Sequence, residues 1–323
     1  MKAIQLTGFT GPSGLQLADV DRPVPGQGEV LIRVRAAGIN YAELEQTRGG
    51  YPFQKPLPGV MGFEAAGEVV KHGPGVSKPR IGERIVGLAS SGGFAEYATL
   101  NAQLAMPIPE SISFSQATSI VIQGVSAYAL LALAAKPRPG ETILIQAAAG
   151  GVGIYLVQLA KLLGGRVIAL ASSRAKLELV SRLGADVAID YSDADWHRRV
   201  REATGGNGAD IVLEMASGEI GRKSFELLAP FGRVVVFGAN NVNDTINPEQ
   251  VRQLIYNNQT IIGFNVPTVR PADIARCFEE LLPLICDGSV QIFSDTSYPL
   301  AQAREAFEMI ASRSSIGKVV LVP

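Results

Sequence analysis

Apolar runs and helical patterns alternate through the middle of the chain, and the best defined pair lies at residues 142–163. The run 142–146 is apolar and rich in branched residues, which is typical of a buried parallel strand. Small residues follow it, and then Val152, Leu156 and Leu159 recur at the spacing of one helix face. The pattern predicts a strand that enters a helix through a tight turn.

Glycines dominate that turn, at Gly150, Gly151 and Gly153. They would let the backbone approach a pyrophosphate, and the first N–H groups of the helix would donate to it. The first glycine of the dinucleotide fingerprint falls on Ala148, so plain close packing of the turn is an alternative. Phosphate contacts are predicted for Ala149, Gly150, Gly151 and Val152.

The next apolar strand, 166–171, ends without the carboxylate that holds the ribose hydroxyls in NAD-binding units. Serines and cations follow it instead. Arg and Lys neutralise a ribose 2′-phosphate, and serine hydroxyls donate hydrogen bonds to it, so NADP(H) is favoured over NAD(H). The alternative is that the cations only decorate the exposed first turn of a helix. The predicted 2′-phosphate contacts are Ser172, Ser173, Arg174 and Lys176.

Residues 1–104 contain short apolar runs cut by glycine and proline, as in a β-rich barrel. From residue 115, helices alternate with strand candidates, which predicts a doubly wound parallel sheet. These candidates are 187–190, 211–215, 233–238 and 260–266, and a helix at 300–312 and a strand at 318–322 are expected to return to the first domain. The predicted α/β chain has a barrel domain at 1–118 and 290–323 and a nucleotide-binding domain at 119–289.

Composition favours a cytoplasmic enzyme. With 323 residues, 47% of them apolar and 18% charged, the chain can fill two cores. The net charge of −1 gives no reason to expect nucleic acid as a partner. Polar residues interrupt the apolar run 120–135, and residues 1–6 predict a strand instead of a signal peptide, so no membrane association is expected. Cys277 and Cys286 are interpreted as reduced structural thiols.

Short motifs follow one another along the chain at 38–43, 62–67, 124–128, 147–153 and 317–318. In this order they resemble the zinc-independent medium-chain dehydrogenases/reductases, specifically the quinone oxidoreductase group. The resemblance implies a GroES-like domain made from both chain ends and a central Rossmann domain, with NADPH in the cleft between them. It also implies a homodimer joined through the edge strand 260–266.

No zinc is expected. Zinc-bearing relatives carry a cysteine within 38–40 and a histidine immediately before Glu64, where this chain has Phe63. A catalytic zinc needs about three protein ligands, and no cysteine precedes Cys277. The two histidines of the chain are interpreted as surface residues.

Without a metal to polarise a carbonyl, the favoured chemistry is hydride addition to an electron-poor acceptor such as a quinone, enone or enal. By resemblance, Asn40 would hold the nicotinamide carboxamide or a substrate oxygen, and a strand-end cap is its alternative role. Tyr51 matches a proton-donating tyrosine of enoyl-thioester reductases, and a pocket wall is its alternative role. Glu43 and Glu45 depart from the family's Asp and aromatic residue. A carboxylate there would disfavour an apolar quinone, and exposure of Glu45 to solvent is the alternative.

The resemblance carries over further cofactor contacts. Ser126 stands at the position of a threonine, Tyr191 lies where relatives pack near the 2′-phosphate or adenine, and the loop after strand 233–238 would face the nicotinamide ribose. The carried-over set is Asn40, Tyr41, Ser126, Tyr191, Phe237, Gly238, Ala239, Asn240, Phe264, Asn265 and Lys318.

Three functions are compatible with these residues. The first is an NADPH-dependent reductase of quinones or α,β-unsaturated carbonyl compounds. The second is a pathway-specific enoyl-thioester reductase, suggested by Tyr51. The third is an NADPH-sensing or RNA-binding protein without turnover, although the near-neutral charge argues against RNA.

Overall fold

A computed structural model describes residues 1–52, 54, 56–238, 248–294 and 296–323. The chain forms two compact units. Unit 1 comprises Met1–Ile122 and Ile292–Pro323, and unit 2 comprises Gln123–Gln291.

The first part of unit 1 is built mainly from strands. These are β1 (Lys2–Leu6), β2 (Leu15–Asp19), β3 (Glu29–Ile39), β4 (Gly59–Val60), β5 (Glu64–His72), β6 (Arg84–Leu88), β7 (Tyr97–Asn101) and β8 (Met106–Pro107). Two short helices, α1 (Tyr41–Thr47) and α2 (Phe114–Ser119), accompany them, with a 3₁₀ turn at Gly11–Gly14. The long strand β3 pairs with both β5 and β7, which makes it the centre of this β-rich unit.

Unit 2 alternates strands and helices. The strands are β9 (Thr142–Ile145), β10 (Arg166–Ala171), β11 (Val187–Asp190), β12 (Ala209–Glu214), β13 (Leu228–Phe237) and β14 (Thr260–Phe264). The helices are α3 (Val125–Ala129), α4 (Gly151–Leu162), α5 (Arg174–Arg182), α6 (Trp196–Ala203), α7 (Gly218–Phe225), α8 (Pro248–Asn257) and α9 (Pro271–Cys286). A 3₁₀ turn at Val266–Thr268 separates β14 from α9.

The chain then returns to unit 1 through β15 (Thr296–Pro299), a 3₁₀ turn (Leu300–Gln302), α10 (Ala303–Ala311) and β16 (Val319–Val322). Strand β16 pairs antiparallel with β3, with Val320 opposite Gly38. Residues from both chain segments share one hydrophobic core, in which the rings of Phe94 and Phe307 meet edge to face at 6.0 Å. Early and late parts of the sequence therefore stabilise the same unit.

The six strands of unit 2 form one parallel sheet in the order β11-β10-β9-β12-β13-β14. Leu144 at its centre lies between Ile168 and Val212, and all three side chains are fully buried. The order reverses between β9 and β12, and ligands of doubly wound sheets bind beyond the carboxyl ends of strands at such a point. This reversal positions the candidate nucleotide site.

One continuous helical segment, Phe114–Ala135, is long and apolar enough to cross a membrane by length and composition. It includes π-helical turns at Ile120–Gly124 and Leu130–Ala135. In the structure 72% of its apolar window is buried, and the core helix of a water-soluble protein passes the same test. The segment is therefore only weak evidence for a membrane. The sequence analysis expected its polar residues to rule out a membrane-spanning segment, but by length and composition they do not.

Candidate active site

The turn after β9 is tight and partly left-handed. Ala147 has a φ of 46°, and its carbonyl accepts a 2.8 Å hydrogen bond from the Gly150 amide. The Ala148 amide donates across the sheet to Leu170 at 2.9 Å, which fixes the turn beside β10. Helix α4 then begins at Gly151 with no side-chain cap, so its first N–H groups have no partner of their own in the helix.

Two glycines of this turn exclude a side chain for different steric reasons. A Cβ at Gly153 would clash with the backbone of Ala147 and Ala148, so this position permits the close turn. A Cβ at Gly151 would clash with the side-chain amide of Gln123, which lies across the start of α4. Gln123 is 8% exposed, and its buried Oε1 has no hydrogen-bond partner among the described residues. The first N–H groups of α4 give this turn the donors that a pyrophosphate requires, and the Gln123 Oε1 beside them is a free acceptor.

The predicted 2′-phosphate residues lie together after β10. Ser173 caps α5 by accepting from the Lys176 amide at 3.4 Å, and the Arg174 guanidinium contacts Glu178 at 2.8 Å. The Tyr191 amide donates to the carbonyl of Ala171 at 3.1 Å, so Tyr191 lies beside the same strand end. Two hydroxyls, two cations and an aromatic ring are therefore grouped at one end of the β10–β11 pair.

The remaining candidates of unit 2 also follow strand ends or the glycine helix. Phe237 and Phe264 are register partners at the ends of β13 and β14, and Gly238 and Asn265 follow them. Ser126 is half-buried on α3, which packs against α4. The candidates Ala239 and Asn240 lie outside the described residues.

A side chain that the sequence analysis did not single out joins the two strands at the reversal point. Gln146 is buried, and its Oε1 accepts from the amides of Met215 and Ala216 at 3.1 and 2.9 Å, while its Nε2 donates to Ser224 at 2.7 Å. The amide therefore ties the end of β9 to the loop after β12. The available signal was a polar residue at the end of an otherwise apolar run.

In unit 1, Asn40 is the centre of a buried polar cluster with Glu43, Glu64 and Lys318. The Lys318 ammonium donates to Oδ1 of Asn40 at 2.7 Å and also pairs with Oε1 of Glu64. The Asn40 Nδ2 donates to Glu64 Oε1 at 3.0 Å and to Glu43 Oε2 at 3.2 Å. Glu43, Glu64 and Lys318 have no exposed surface, whereas Asn40 is 6% exposed.

Backbone amides hold Glu43 in place. Its Oε2 accepts from the Asn40 amide and its Oε1 from the Phe63 amide, both at 2.6 Å. Asn40 is the N-cap residue of α1, so the capping role and the polar cluster coexist at one residue. Burial raises the pKa of Glu43 to about 7, with Glu64 adding to the rise and Lys318 opposing it. Burial also raises the pKa of Glu64 against the opposing effect of Lys318.

Two tyrosines lie near this cluster. Tyr51 is half-buried, its ring centroid is 5.5 Å from that of Phe63, and burial together with the Glu43 charge raises its pKa. Tyr41 is also half-buried, and burial followed by Glu45 raises its pKa. The Glu45 carboxylate contacts Arg48 at 2.9 Å, so it is paired and does not stand alone.

The residues present do not fit a zinc ion. A Cβ at Gly38 would clash with Lys318 and Glu64, so the Lys318 ammonium fills the space that a side chain at this position would need. Phe63 supplies no ligand atom, and the part of the chain that the structure describes contains no group of three or more His, Cys, Asp or Glu able to hold a metal. No step of the chemistry is therefore assigned to a metal.

Comparison with known proteins agrees with this architecture. The family model of the alcohol dehydrogenase GroES-like domain matches residues 26–110, and that of the zinc-binding dehydrogenases matches residues 151–285. A quinone oxidoreductase of Pseudomonas aeruginosa is 33% identical over 100% of this chain and 99% of its own length. The synaptic vesicle membrane protein VAT-1 homolog of Rattus norvegicus is 30% identical over 100% of this chain and 84% of its length.

Solved structures show the same likeness. A mycobacterial protein complexed with NADPH has a TM-score of 0.93 and 32% identity, covering 100% of both chains. The Escherichia coli quinone oxidoreductase complexed with NADPH has a TM-score of 0.92 and 28% identity, also over 100% of both chains. A Mycobacterium tuberculosis polyketide synthase subunit is 29% identical over 95% of this chain, which corresponds to 14% of that large protein.

A GroES-like unit and a Rossmann unit define a medium-chain dehydrogenase/reductase, which is an oxidoreductase. Within that class, the chain belongs to the zinc-independent quinone oxidoreductase family. The fold and family expected from the sequence motifs are confirmed. The name of the matching zinc-binding model describes a wider group, and at the positions where zinc ligands were considered, within 38–40 and at Phe63, this chain has no cysteine or histidine.

Proposed function

We propose that this protein transfers hydride from NADPH to quinones or α,β-unsaturated carbonyl compounds. It is an NADPH-dependent oxidoreductase, as its family and its NADPH-bound structural relatives establish. The prediction of NADP(H) as cofactor is confirmed at this level. Two observations carry the proposal: the uncapped start of α4, and the serines and cations that follow β10 where an NAD-binding unit would place a carboxylate.

The dinucleotide would be held by groups already in position. The first N–H groups of α4 would donate to the pyrophosphate, with Gly150 and Gly151 leaving room for it. Ser172, Ser173, Arg174 and Lys176 would bind the 2′-phosphate, with Tyr191 beside it. Bound NADPH supplies a hydride from its nicotinamide ring.

The acceptor class follows from what the protein can supply. Lys318 occupies the space beside Gly38, and the described residues offer no cluster of metal ligands, which favours an acceptor that is already electron-poor. After hydride addition, a proton has to reach the developing enolate or phenolate. Tyr51 is a phenol of raised pKa and thus holds its proton at neutral pH, which suits a hydrogen-bond or proton donor.

An enoyl-thioester reductase is the second candidate. The similarity to a segment of the mycobacterial polyketide synthase subunit and the placement of Tyr51 beside the buried cluster favour it. A thioester enolate needs protonation at carbon, whereas a hydroquinone can take its protons from water. Tyr51→Phe should therefore slow enoyl reduction more than quinone reduction, and equal effects on both acceptors would remove the donor role of Tyr51.

The proposal is tested by following NADPH oxidation at 340 nm with chelator-treated protein. A naphthoquinone, a simple enal and a crotonyl thioester are compared, each with NADPH and with NADH. Turnover of one of the first two with NADPH preferred supports the proposal, and turnover of the thioester alone supports the second candidate. Binding of NADPH without turnover of any acceptor would overturn both and favour a sensing role.

We also propose that two copies associate through strand β14, which lies at the edge of the sheet. Helix α8 precedes it and exposes apolar side chains, with Ile255 72% and Tyr256 77% exposed. An edge strand beside exposed apolar residues is suited to pairing with a second copy. Light scattering after gel filtration should show a dimer, and Ile255→Glu should shift it towards monomer. A monomeric wild-type protein would contradict this proposal.

The cytoplasmic location expected from composition remains a prediction.

A further inference from the structure

The loop that follows β12 in unit 2 has its backbone amides turned into the fold. The amides of Met215 and Ala216 donate to Oε1 of Gln146 at 3.1 and 2.9 Å. The Ser217 amide donates to Oε1 of Glu214 at 2.6 Å. Gln146 and Glu214 are buried, whereas the three loop residues are only half-buried. Two buried side chains therefore take up the donors of a loop that stays partly accessible.

The direction of these amides sets the direction of the loop carbonyl groups. In a planar trans peptide the N–H and C=O bonds point to opposite sides. The peptide between Met215 and Ala216 donates to Gln146, so its carbonyl points away from that side chain. The carbonyl of Ala216 points away from Glu214 for the same reason. On the side facing away from the two buried side chains, the loop thus presents hydrogen-bond acceptors.

The backbone of Ser217 supports a functional role for this loop. Its φ is 52° and its ψ is −168°, a combination that residues other than glycine rarely adopt. The bond from its amide to Glu214 helps to hold this conformation. Such outliers cluster at active sites and ligand clamps, where the surrounding structure maintains them. The loop has the character of a preorganised ligand contact.

The sheet order indicates which part of a dinucleotide the loop would meet. Strand β9 has β10 on one side and β12 on the other, and all three end at the same edge of the sheet. The 2′-phosphate is proposed to lie at the end of β10 and the pyrophosphate at the start of α4, which follows β9. The ribose of the nicotinamide half comes next along the dinucleotide, as β12 comes next in the sheet. Its hydroxyl groups are donors, whereas phosphates at neutral pH are acceptors.

We propose that Gln146 and Glu214 are positioning residues that make the loop 215–217 an acceptor for the hydroxyl groups of the nicotinamide ribose. With the amides turned inward, the loop matches a hydroxyl donor and repels a phosphate. The inference rests on the proposed function, because it takes the 2′-phosphate and pyrophosphate to lie where that proposal puts them.

The test compares NADPH with 2′,5′-ADP, which contains only the adenosine half, by titration calorimetry without an acceptor. Glu214→Leu removes the acceptor of the Ser217 amide and lets this peptide turn over. It should weaken NADPH binding by about 3- to 10-fold, the contribution of one hydrogen bond, and leave 2′,5′-ADP binding unchanged. Glu214→Gln keeps a side-chain carbonyl oxygen as acceptor and should retain the wild-type affinity for NADPH.

A second variant tests the other buried side chain. Gln146→Leu leaves the amides of Met215 and Ala216 without this acceptor and should weaken NADPH binding by a similar factor. Ser224→Ala is the matched control, because it removes the 2.7 Å hydrogen bond from Nε2 of Gln146 and leaves the loop amides in place. It should change neither affinity. Circular dichroism checks that every variant is folded.

Unchanged NADPH affinity in folded Glu214→Leu and Gln146→Leu would overturn the inference. Equal weakening of 2′,5′-ADP binding, or failure of Glu214→Gln to keep the affinity for NADPH, would also overturn it. Failure of the proposed function looks different. A wild-type protein that binds both nucleotides but reduces no acceptor loses the proposed activity, and these differences in affinity remain.

Discussion

The side chain of Lys318 occupies the space that a side chain at Gly38 would need. Strands β16 and β3 bring the two residues together, with Val320 opposite Gly38, and a Cβ at position 38 would clash with the Lys318 Cε and Nζ. In this family member a buried ammonium fills the place beside the candidate site. The absence of a side chain at Gly38 is therefore a packing requirement of the charged cluster.

Gly38→Ala should destabilise unit 1 by about 1–3 kcal/mol, the usual cost of overpacking a close contact. The added methyl would push the Lys318 ammonium away from Asn40 and Glu64. Urea unfolding measures the change, and Gly8→Ala is the matched control because a Cβ at Gly8 meets nothing within 4 Å. Equal stability of the two variants would show that Lys318 moves aside without cost.

Glu43 should make the stability depend on pH. Its pKa rises from the ordinary 4.5 to about 7 on folding, so the native state holds a proton that the unfolded state has lost between these values. The free energy of unfolding should therefore fall as pH rises through this window, by up to about 1.4 kcal/mol per pH unit. The charged or titrating groups that act on Glu43 and its neighbourhood are Glu64, Lys318 and Tyr51.

Urea unfolding at several pH values from about 5 to 8 measures this slope. In Glu43→Gln the contribution of this group should vanish, and the remaining slope should reflect Glu64 and the other groups. The assignment would fail if wild type and Glu43→Gln kept the same difference in unfolding free energy at every pH.

The Arg174–Glu178 pair should compete with the 2′-phosphate. Its side chains are 92% and 61% exposed, and such pairs contribute at most about 1 kcal/mol. Glu178→Gln should thus strengthen NADPH binding by up to about fivefold by releasing the guanidinium. Arg174→Ala should weaken it by about tenfold. NADH affinity should be unchanged in both variants, and Arg182→Ala, at the other end of α5, is the control. Parallel changes for NADH would refute the 2′-phosphate assignment.

Ala147 should tolerate glycine better than its neighbour does. It adopts φ of 46°, a left-handed conformation that costs an L-residue about 1–2 kcal/mol and that glycine adopts freely. Ala147→Gly should therefore change stability by less than about 0.5 kcal/mol, since relief of strain offsets the added chain entropy. Ala148 is fully buried without positive φ, and Ala148→Gly should cost about 1 kcal/mol or more. Thermal and urea unfolding measure both changes in stability. A larger loss in Ala147→Gly than in Ala148→Gly would contradict the prediction.

Local patterns predicted much of unit 2. Strands β10 and β11 have the limits expected from their apolar runs, because both are short, buried and flanked by clear turns. Strand β13 begins at Leu228, five residues before the predicted start at 233. The prediction was late because Pro230 and Gly232 are typical turn residues. The backbone bends within the strand there, where Phe231 has a φ of 60°, and pairing continues on both sides.

The polar cluster could not be predicted in the same way. Asn40 and Lys318 are 278 positions apart, and only the pairing of β16 with β3 brings them together. A hint was available in Glu64, a carboxylate at the start of an apolar strand, which has to be paired when buried. The Gln123 amide over Gly151 gave no such signal, since a lone glutamine is usually exposed.

Unit 1 is built from two separate segments of the chain, and this affects the order in which the units can fold during synthesis on the ribosome. Unit 2 is one continuous segment, Gln123–Gln291, and can complete its sheet as soon as it has emerged. Unit 1 has to wait, because the end of β3, from Ala37 to Ile39, has no β16 to pair with until the last residues are made. Until then Asn40 and Glu64 lack their cation, so the nucleotide-binding half can mature before the candidate catalytic half. We therefore expect the nucleotide-binding unit to fold first, although Asn40 and Glu64 of the other unit are synthesised before it.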